Sequence, residues 1–172
     1  MLAAGWTRIE QEQHLMGRAG FVGDEIGSAV IGARLVRDIM RLCFLMEKRY
    51  APYPKWFGTA FQKLHCAPLI SKNLESSLAA ISWEVRQQCL KPAYETIARM
   101  HNKLHITDPL NETTRSFHER QFIVMSMGAF SEAILQKIED PQAEPLPQSR
   151  ESALSTNLAT ALIYSAIGPG DR

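Results

Sequence analysis

The sequence has few cysteines, little net charge and no long apolar run. Its three cysteines, Cys43, Cys66 and Cys89, are odd in number and far apart. This pattern is typical of free buried thiols rather than of a disulfide framework or a zinc site. Lys plus Arg total 19 and Asp plus Glu total 18, so the net charge is only +1, whereas nucleic-acid-binding domains are usually strongly basic. No stretch approaches the roughly 18 consecutive apolar residues of a membrane helix. The sequence therefore argues against nucleic-acid and membrane partners.

The first residues lack the basic start and apolar core of a signal peptide. Together with the free thiols, this absence predicts a cytoplasmic protein. The chain has 172 residues, of which 45% are apolar and 22% charged. Such a composition and length are typical of one globular domain rather than of a disordered chain.

Helical periodicity dominates the sequence and predicts an all-α bundle of about five to seven helices. A first helix is expected over residues 3–17, ending where Gly17, Gly20 and Gly23 interrupt the pattern. The second helix, residues 24–50, is expected to be the central one, because apolar residues cover more than half of its circumference. One broad apolar arc of this helix contains Ile26, Ala29, Ala33, Val36, Met40, Cys43 and Phe44.

The remaining elements are expected to be shorter helices separated by prolines. They are a stiff turn at 51–57, a helix at 57–64, a helical segment from Pro68 through Val85, a helix after Pro92, and a helix at 117–139 whose Phe122–Met125 run also suits a strand. The expected organisation is a bundle at 1–140, a Pro-rich linker at 141–148 and a C-terminal helix of the same domain at 149–167.

The polar side of the central helix carries a surplus of positive charge. Arg34, Arg37 and Arg41 surround Asp38 in the sequence, which leaves about two uncompensated charges. One interpretation is a cradle for a phosphate or carboxylate, which arginine binds in bidentate fashion. The other is structural, with Asp38 and glutamates of neighbouring helices neutralising the arginines.

The turn after the central helix alternates aromatic rings with prolines and a lysine. Tyr53 and Trp56 suit stacking on a flat ring, and Lys55 suits a phosphate. The structural alternative is a proline-aromatic plug that closes one end of the bundle. If the turn is functional, we expect it to form one concave, net-positive surface with the arginines.

Two short patterns suggest catalysis, each with a defect. Gly27-Ser28 precedes Asp38 by nine intervening residues, which resembles the metal motif of polymerase-beta-type nucleotidyltransferases. The second acid is missing, and one carboxylate does not hold two metal ions. Arg99 and His105 resemble the Arg-x(4–6)-His signature of helical HEPN ribonucleases, although Met100 stands where those proteins usually have a polar residue. His101 and His105 have metal-ligand spacing but no third ligand nearby, so no metal site is expected.

A longer stretch is more specific than either pattern. It runs from Gly23 to Phe61 and contains Tyr50-x-Pro52-Tyr53-x-Lys55-Trp56-x-Gly58-x-Ala60-Phe61. This segment resembles the helical domain of an uncharacterised family, domain of unknown function 4037. The resemblance covers about residues 3–65 strongly and extends more weakly to about residue 140. It implies a helical domain that usually follows a nucleotidyltransferase-like domain.

The sequence thus favours a helical chain that does not catalyse on its own. The resemblance implies a substrate-binding or interaction domain whose partner is a nucleotidyltransferase-like domain or its substrate, and it supplies no catalytic residue. The candidate binding residues are Arg34, Arg37, Arg41, Tyr53, Lys55 and Trp56. No cofactor is expected for this chain; Mg²⁺ and a nucleoside triphosphate would belong to the catalytic domain. The alternatives are a HEPN-like ribonuclease using Arg99 and His105, and a structural homodimer.

Overall fold

The computed structural model describes residues 1–116 and 122–138, which form an all-α bundle. The expected fold class is confirmed, with a helix count within the expected range for the described residues. The helices are α1 (Leu2–Phe21), α2 (Glu25–Met46), α3 (Phe57–Phe61), α4 (Ala67–Ala79), α5 (Trp83–Lys103) and α6 (Met127–Gln136), with a 3-10 turn at Pro54–Trp56. Two short strands, β1 (Arg115–Ser116) and β2 (Ile123–Val124), pair antiparallel. The expected linker at 141–148 and helix at 149–167 lie outside the described residues.

Helix α1 is longer than expected because two of its glycines are packing positions rather than helix breakers. A Cβ at Gly17 would lie 2.9 Å from a ring carbon of Phe122, and one at Gly20 would collide with the side chain of Trp83. The helix needs these glycines to approach the aromatic rings closely. Only Gly23, with a φ of +89°, adopts the left-handed conformation that ends α1.

Helix α2 is uninterrupted, as expected, but ends at Met46 instead of near Tyr50. Asp24 caps its start by accepting the Gly27 N–H at 2.7 Å. At its end, the Lys48 N–H bonds to the Leu45 carbonyl and the Arg49 N–H to the Phe44 carbonyl. This is a Schellman motif with Lys48 in the left-handed position, φ 54°. The chain therefore leaves the helix before the prolines that were expected to end it.

The expected apolar arc of α2 is buried only in the second half of the helix. Val36, Cys43 and Phe44 are core residues, whereas Ile26 is 81% exposed. Ala29 and Ala33 are exposed as well. In the first two turns of α2 the predicted apolar arc therefore faces outward, and the buried positions there are Ser28 and Gly32 instead.

Two further boundaries differ from the sequence expectation. The helical segment through Val85 breaks at residues 80–82, where Ser82 caps α5. Pro92 lies inside α5 rather than before a new helix. The flanking residues Leu90, Ala93 and Ile97 are fully buried, and this continuous apolar face holds the helix through the proline.

The expected helix at 117–139 is in part an extended segment. Residues 117–121 are outside the described range, and helix starts only at Met127. Gln13 of α1 binds the backbone of Met125 twice: its amide oxygen accepts the N–H at 2.9 Å and its amide nitrogen donates to the carbonyl at 2.7 Å. The apolar Phe122, Val124 and Met125 are buried. The Gln13 side chain therefore supplies the hydrogen bonds of the extended backbone at Met125, which lies against the bundle.

The core contains an aromatic cluster between α1, α5 and α6. Trp6 stacks on Phe130 with ring centroids 4.3 Å apart, and its indole N–H donates to His101 Nδ1 at 3.2 Å. The three cysteines are free, with Cys43 and Cys66 buried and Cys89 partly so. Helices α1 and α2 pack against each other along much of their length.

Candidate functional site

Three arginines surround one buried carboxylate where α1 and α2 pack together. Asp38 is 3% exposed, while Arg8, Arg37 and Arg41 are each about half exposed. Arg37 Nε lies 3.2 Å from Asp38 Oδ1, Arg8 Nε lies 3.7 Å from Oδ2, and Arg41 Nη1 lies 3.8 Å from Oδ1. We refer to Arg8, Arg37 and Arg41 around Asp38 as the arginine cluster. It has two positive charges more than negative ones.

Within the cluster, only Arg37 is held by hydrogen bonds. Its Nε and Nη2 donate to the two carboxylate oxygens of Asp38 at 3.2 and 3.4 Å. Arg8 and Arg41 approach Asp38 only to ion-pair distance. A guanidinium presents five N–H donors in a fixed plane. Arg8 and Arg41 therefore retain donors for a further anionic group.

Arg34, one turn before the cluster, has a different partner. It forms an ion pair with Glu12 of α1. Because α1 and α2 run antiparallel, the pairs Arg8–Asp38 and Glu12–Arg34 lie at successive positions along the same seam. The structural interpretation thus holds for Arg34, since a glutamate of the neighbouring helix neutralises it.

A first cavity, of about 370 Å³, adjoins the cluster. Arg8, Arg41 and Arg49 contribute its charged lining, and the apolar lining includes Phe44 and Leu45. The other lining residues are Met1, Ala4, Tyr50 and Ala51. Small-molecule sites typically combine an apolar wall with a few polar groups in a volume of about 300–1,000 Å³. The first cavity has this character.

Two more cavities flank the turn after α2. The second, of about 170 Å³, is lined by Arg37, Arg41, Ala51, Pro52, Pro54 and Phe57. The third, of about 460 Å³, is lined by Phe44, Arg49, Tyr50, Ala60, Lys63 and Leu64. The second cavity joins two of the predicted arginines to the prolines of the turn. The linings of the three cavities contain basic side chains and no acidic one.

The other candidates from the turn lie elsewhere on the surface. Tyr53 is 72% exposed and Trp56 is 56% exposed, and the Lys55 ammonium lies 5.1 Å from the Trp56 ring centroid. None of these three residues lines the three cavities. The structure therefore brings Arg37 and Arg41 to one site and leaves Tyr53, Lys55 and Trp56 outside it.

The residues of the ribonuclease alternative are separated by the end of α5. Arg99 lies within the helix and donates to the Thr96 hydroxyl at 2.8 Å. His105 lies two residues beyond the last helical residue, in a left-handed conformation with φ 52°. His101 is fully buried, and burial lowers its pKa below the ordinary value. His101 is therefore a core residue and not a catalytic partner of Arg99 or His105.

The nucleotidyltransferase-like pattern falls within one helix. Gly27 and Ser28 are in the first turn of α2, and the Ser28 hydroxyl accepts a hydrogen bond from the buried Arg86 at 2.6 Å. Asp38 lies further along the same helix rather than on a strand. In the described ranges, no three His, Cys, Asp or Glu side chains gather as a metal site would require.

Two basic residues of the site, Arg8 and Arg49, are not among those predicted from the sequence. Arg8 belongs to another helix, and only the antiparallel register of α1 and α2 brings it to Asp38. The alternation of Arg8 and Glu12 on α1 against Arg34 and Asp38 on α2 is the signal that would have found it. Arg49 comes just before the turn in the sequence, and it lines the first and third cavities.

Comparison with known proteins gives one family match. Residues 1–57 match the model of a family described as Domain of unknown function (DUF4037). The resemblance seen in the sequence is thereby confirmed for this range, while the association with a nucleotidyltransferase stays a prediction. No curated protein and no solved structure matches the chain.

The matched segment, residues 1–57, contains the whole arginine cluster. Arg8, Asp38 and Arg41 lie within it, as do Arg49 and every residue that lines the first two cavities. The candidate site is therefore a property of this segment. Of the helices that the structure describes, none is long and apolar enough to cross a bilayer.

Proposed function

We propose that this chain is a non-catalytic, ligand-binding helical domain that works beside a nucleotidyltransferase-like domain. In this proposal the arginine cluster binds the anionic part of the ligand. The link to a nucleotidyltransferase-like domain depends on the resemblance of residues 23–61. The anion site depends on the geometry of Arg8, Arg37 and Arg41.

The observation that carries the anion site is the imbalance between three guanidiniums and one carboxylate. A purely structural ion pair would match one arginine to one acid, as Arg34 and Glu12 do. Here the buried Asp38 holds Arg37 by hydrogen bonds and keeps Arg8 and Arg41 nearby at longer distances. Half-exposed guanidiniums of this kind bind phosphate and carboxylate groups through charge-assisted hydrogen bonds.

Inorganic tripolyphosphate tests the anion site without assuming an organic ligand. We expect isothermal titration calorimetry to show binding to the chain. Arg41→Ala should weaken it about tenfold, because a hydrogen bond to a charged group contributes about 1.5–3 kcal/mol. Raising the salt concentration should weaken it as well.

Arg18→Ala is the matched control, since Arg18 is an exposed arginine of α1 that lines none of the three cavities. We expect it to leave tripolyphosphate affinity almost unchanged. Equal losses in Arg18→Ala and Arg41→Ala would show that only overall charge matters. Either this result or the absence of binding to the unaltered chain would overturn the anion site.

A further inference from the structure

The three cavities meet around the residues that immediately follow α2. Arg41 and Ala51 line both the first and second cavities, and Arg49 and Tyr50 line both the first and third. An extended ligand lying on this turn would contact basic side chains along its length.

The first cavity differs from the arginine cluster in its chemistry. Phe44 and Leu45 of α2 and Ala4 of α1 form an apolar wall, and its charged side chains are the guanidiniums of Arg8, Arg41 and Arg49. Apolar surface of this kind gains nothing from contact with a bare phosphate. It is suited to an uncharged, flat or apolar group joined to the anion.

Tyr50 provides an aromatic surface at the same cavity. It is 92% exposed although it adjoins an apolar wall. An aromatic ring stacks favourably on a tyrosine, and guanidinium planes stack on aromatic rings as well. A flat ring in the first cavity would meet both kinds of surface.

We propose that the first cavity receives the base of a nucleoside phosphate while the arginine cluster binds its phosphate groups. This inference rests on the proposed function for the phosphate end and adds the ring end. Arg8 and Arg41 belong to both the cluster and the cavity lining, so they connect the two parts of the site. Tyr50, rather than Tyr53, is then the tyrosine that contacts the ligand.

Calorimetry with ATP and inorganic tripolyphosphate on the full 172-residue chain separates the ring site from the anion site. We expect ATP to bind at least tenfold more tightly than tripolyphosphate. Tyr50→Ala should weaken ATP binding about tenfold, in the range found for loss of one base–aromatic stack. Tyr50→Ala should leave tripolyphosphate affinity unchanged, because tripolyphosphate has no ring.

Ala4→Leu tests the cavity by filling it. Ala4 is exposed on α1, so a leucine fits the helix while occupying cavity space. We expect it to reduce ATP affinity to that of tripolyphosphate. Ala29→Leu makes the same change at an exposed position of α2 that does not line the cavity, and it should have no effect.

The outcomes distinguish this inference from the proposed function. Equal affinities for ATP and tripolyphosphate, both lost in Arg41→Ala, would overturn the ring site and leave the anion site in place. Failure of both ligands to bind would overturn both proposals. A loss of ATP binding in Tyr53→Ala but not in Tyr50→Ala would place the ring on the proline-aromatic turn and overturn the assignment to the first cavity.

Discussion

At the scale of single residues, the position of Asp38 determines the character of the site. Its carboxylate is buried, and the three guanidiniums around it reach solvent. Removing a buried acid that satisfies several cations leaves those cations without a partner, whereas removing one half-exposed arginine leaves two others in place. The acid therefore organises the cluster, and the arginines are available to a ligand.

We expect Asp38→Asn to lower the free energy of unfolding by about 1–3 kcal/mol, since it removes the charge that holds three cations together. Arg41→Ala should change it by less than about 1 kcal/mol, as is usual for half-exposed ion pairs. Urea denaturation of the two variants and the parent chain measures the difference. A loss in Arg41→Ala as large as that in Asp38→Asn would make Arg41 part of the scaffold.

The sequence predicts part of this site and misses the rest for a physical reason. Helical periodicity places Arg37 and Arg41 on one polar arc with Asp38, and the structure agrees. Periodicity says nothing about which neighbour a helix faces, so it predicts neither Arg8 as a member of the cluster nor Glu12 as the partner of Arg34. The choice between Tyr50 and Tyr53 depends on where α2 ends.

At the scale of helices and turns, the ends of α1 and α2 are each followed by a residue in the left-handed conformation, but the two residues are of different types. Gly23 occupies this position after α1, and Lys48 occupies it after α2. Only glycine takes this conformation without a steric penalty from its Cβ. The pattern of the sequence places the end of α1 too early, because Gly17 and Gly20 interrupt it before Gly23 does. It places the end of α2 too late, because lysine is an ordinary helix residue.

Lys48→Gly is expected to raise the free energy of unfolding by about 1 kcal/mol, since it removes the Cβ strain at this position. Lys91→Gly changes the same residue type at an exposed position within α5. It should lower the free energy of unfolding by about 1 kcal/mol, because glycine is unfavourable inside a helix. Chemical denaturation that shows both variants shifted in the same direction would contradict this account of the α2 end.

Glycine and proline also show why element boundaries differ from the sequence pattern. Gly17 and Gly20 interrupt the apolar periodicity of α1, yet they are inside the helix because Phe122 and Trp83 occupy the space of their missing side chains. Pro92 similarly lies inside α5. In each position tertiary packing outweighs local preference, and a single sequence contains no direct signal of such packing.

At the scale of the whole molecule, the core depends on a neutral histidine. Trp6 donates to His101 Nδ1, so the ring proton belongs on Nε2, which lies 3.1 Å from the Thr107 hydroxyl. That hydroxyl in turn donates to the Asp108 carbonyl. A protonated His101 would place an N–H against the indole N–H of Trp6. Burial accordingly lowers the pKa of His101 below 6.5.

This chain of bonds predicts a pH dependence of stability. Below pH 6.5 the unfolded chain binds a proton at His101, whereas the folded chain does not bind it until the pH reaches the lower pKa of the folded state. The contribution of His101 to the free energy of unfolding is therefore complete above pH 6.5 and decreases as the pH falls toward that lower pKa. Burial, and to a smaller extent the charge of Arg18, also lower the pKa of His14, which therefore contributes to the slope in the same direction. The slope from one histidine is at most about 1.4 kcal/mol per pH unit.

Urea denaturation between about pH 8 and about pH 5.5 measures this slope. Glu47 contributes little to the slope in that range. Burial raises its pKa, but the hydrogen bonds from His65 and Cys66 outweigh this effect and lower the pKa from 4.5, so its carboxylate stays ionised there. His101→Gln keeps an acceptor for Trp6 but does not titrate. This variant should reduce the slope of the free energy of unfolding against pH, whatever its effect on stability at pH 8. An unchanged slope would exclude His101 as the source of the pH dependence.

The charge pattern along the α1–α2 seam also determines which alignments of the two helices are unfavourable. In the folded chain Arg8 faces Asp38 and Glu12 faces Arg34. Sliding one helix by a single turn in one direction would bring Arg8 opposite Arg34, and sliding it in the other would bring Glu12 opposite Asp38. Both misaligned hairpins would oppose like charges. The charges along this seam therefore disfavour the two nearest misaligned pairings of α1 and α2 as the chain collapses.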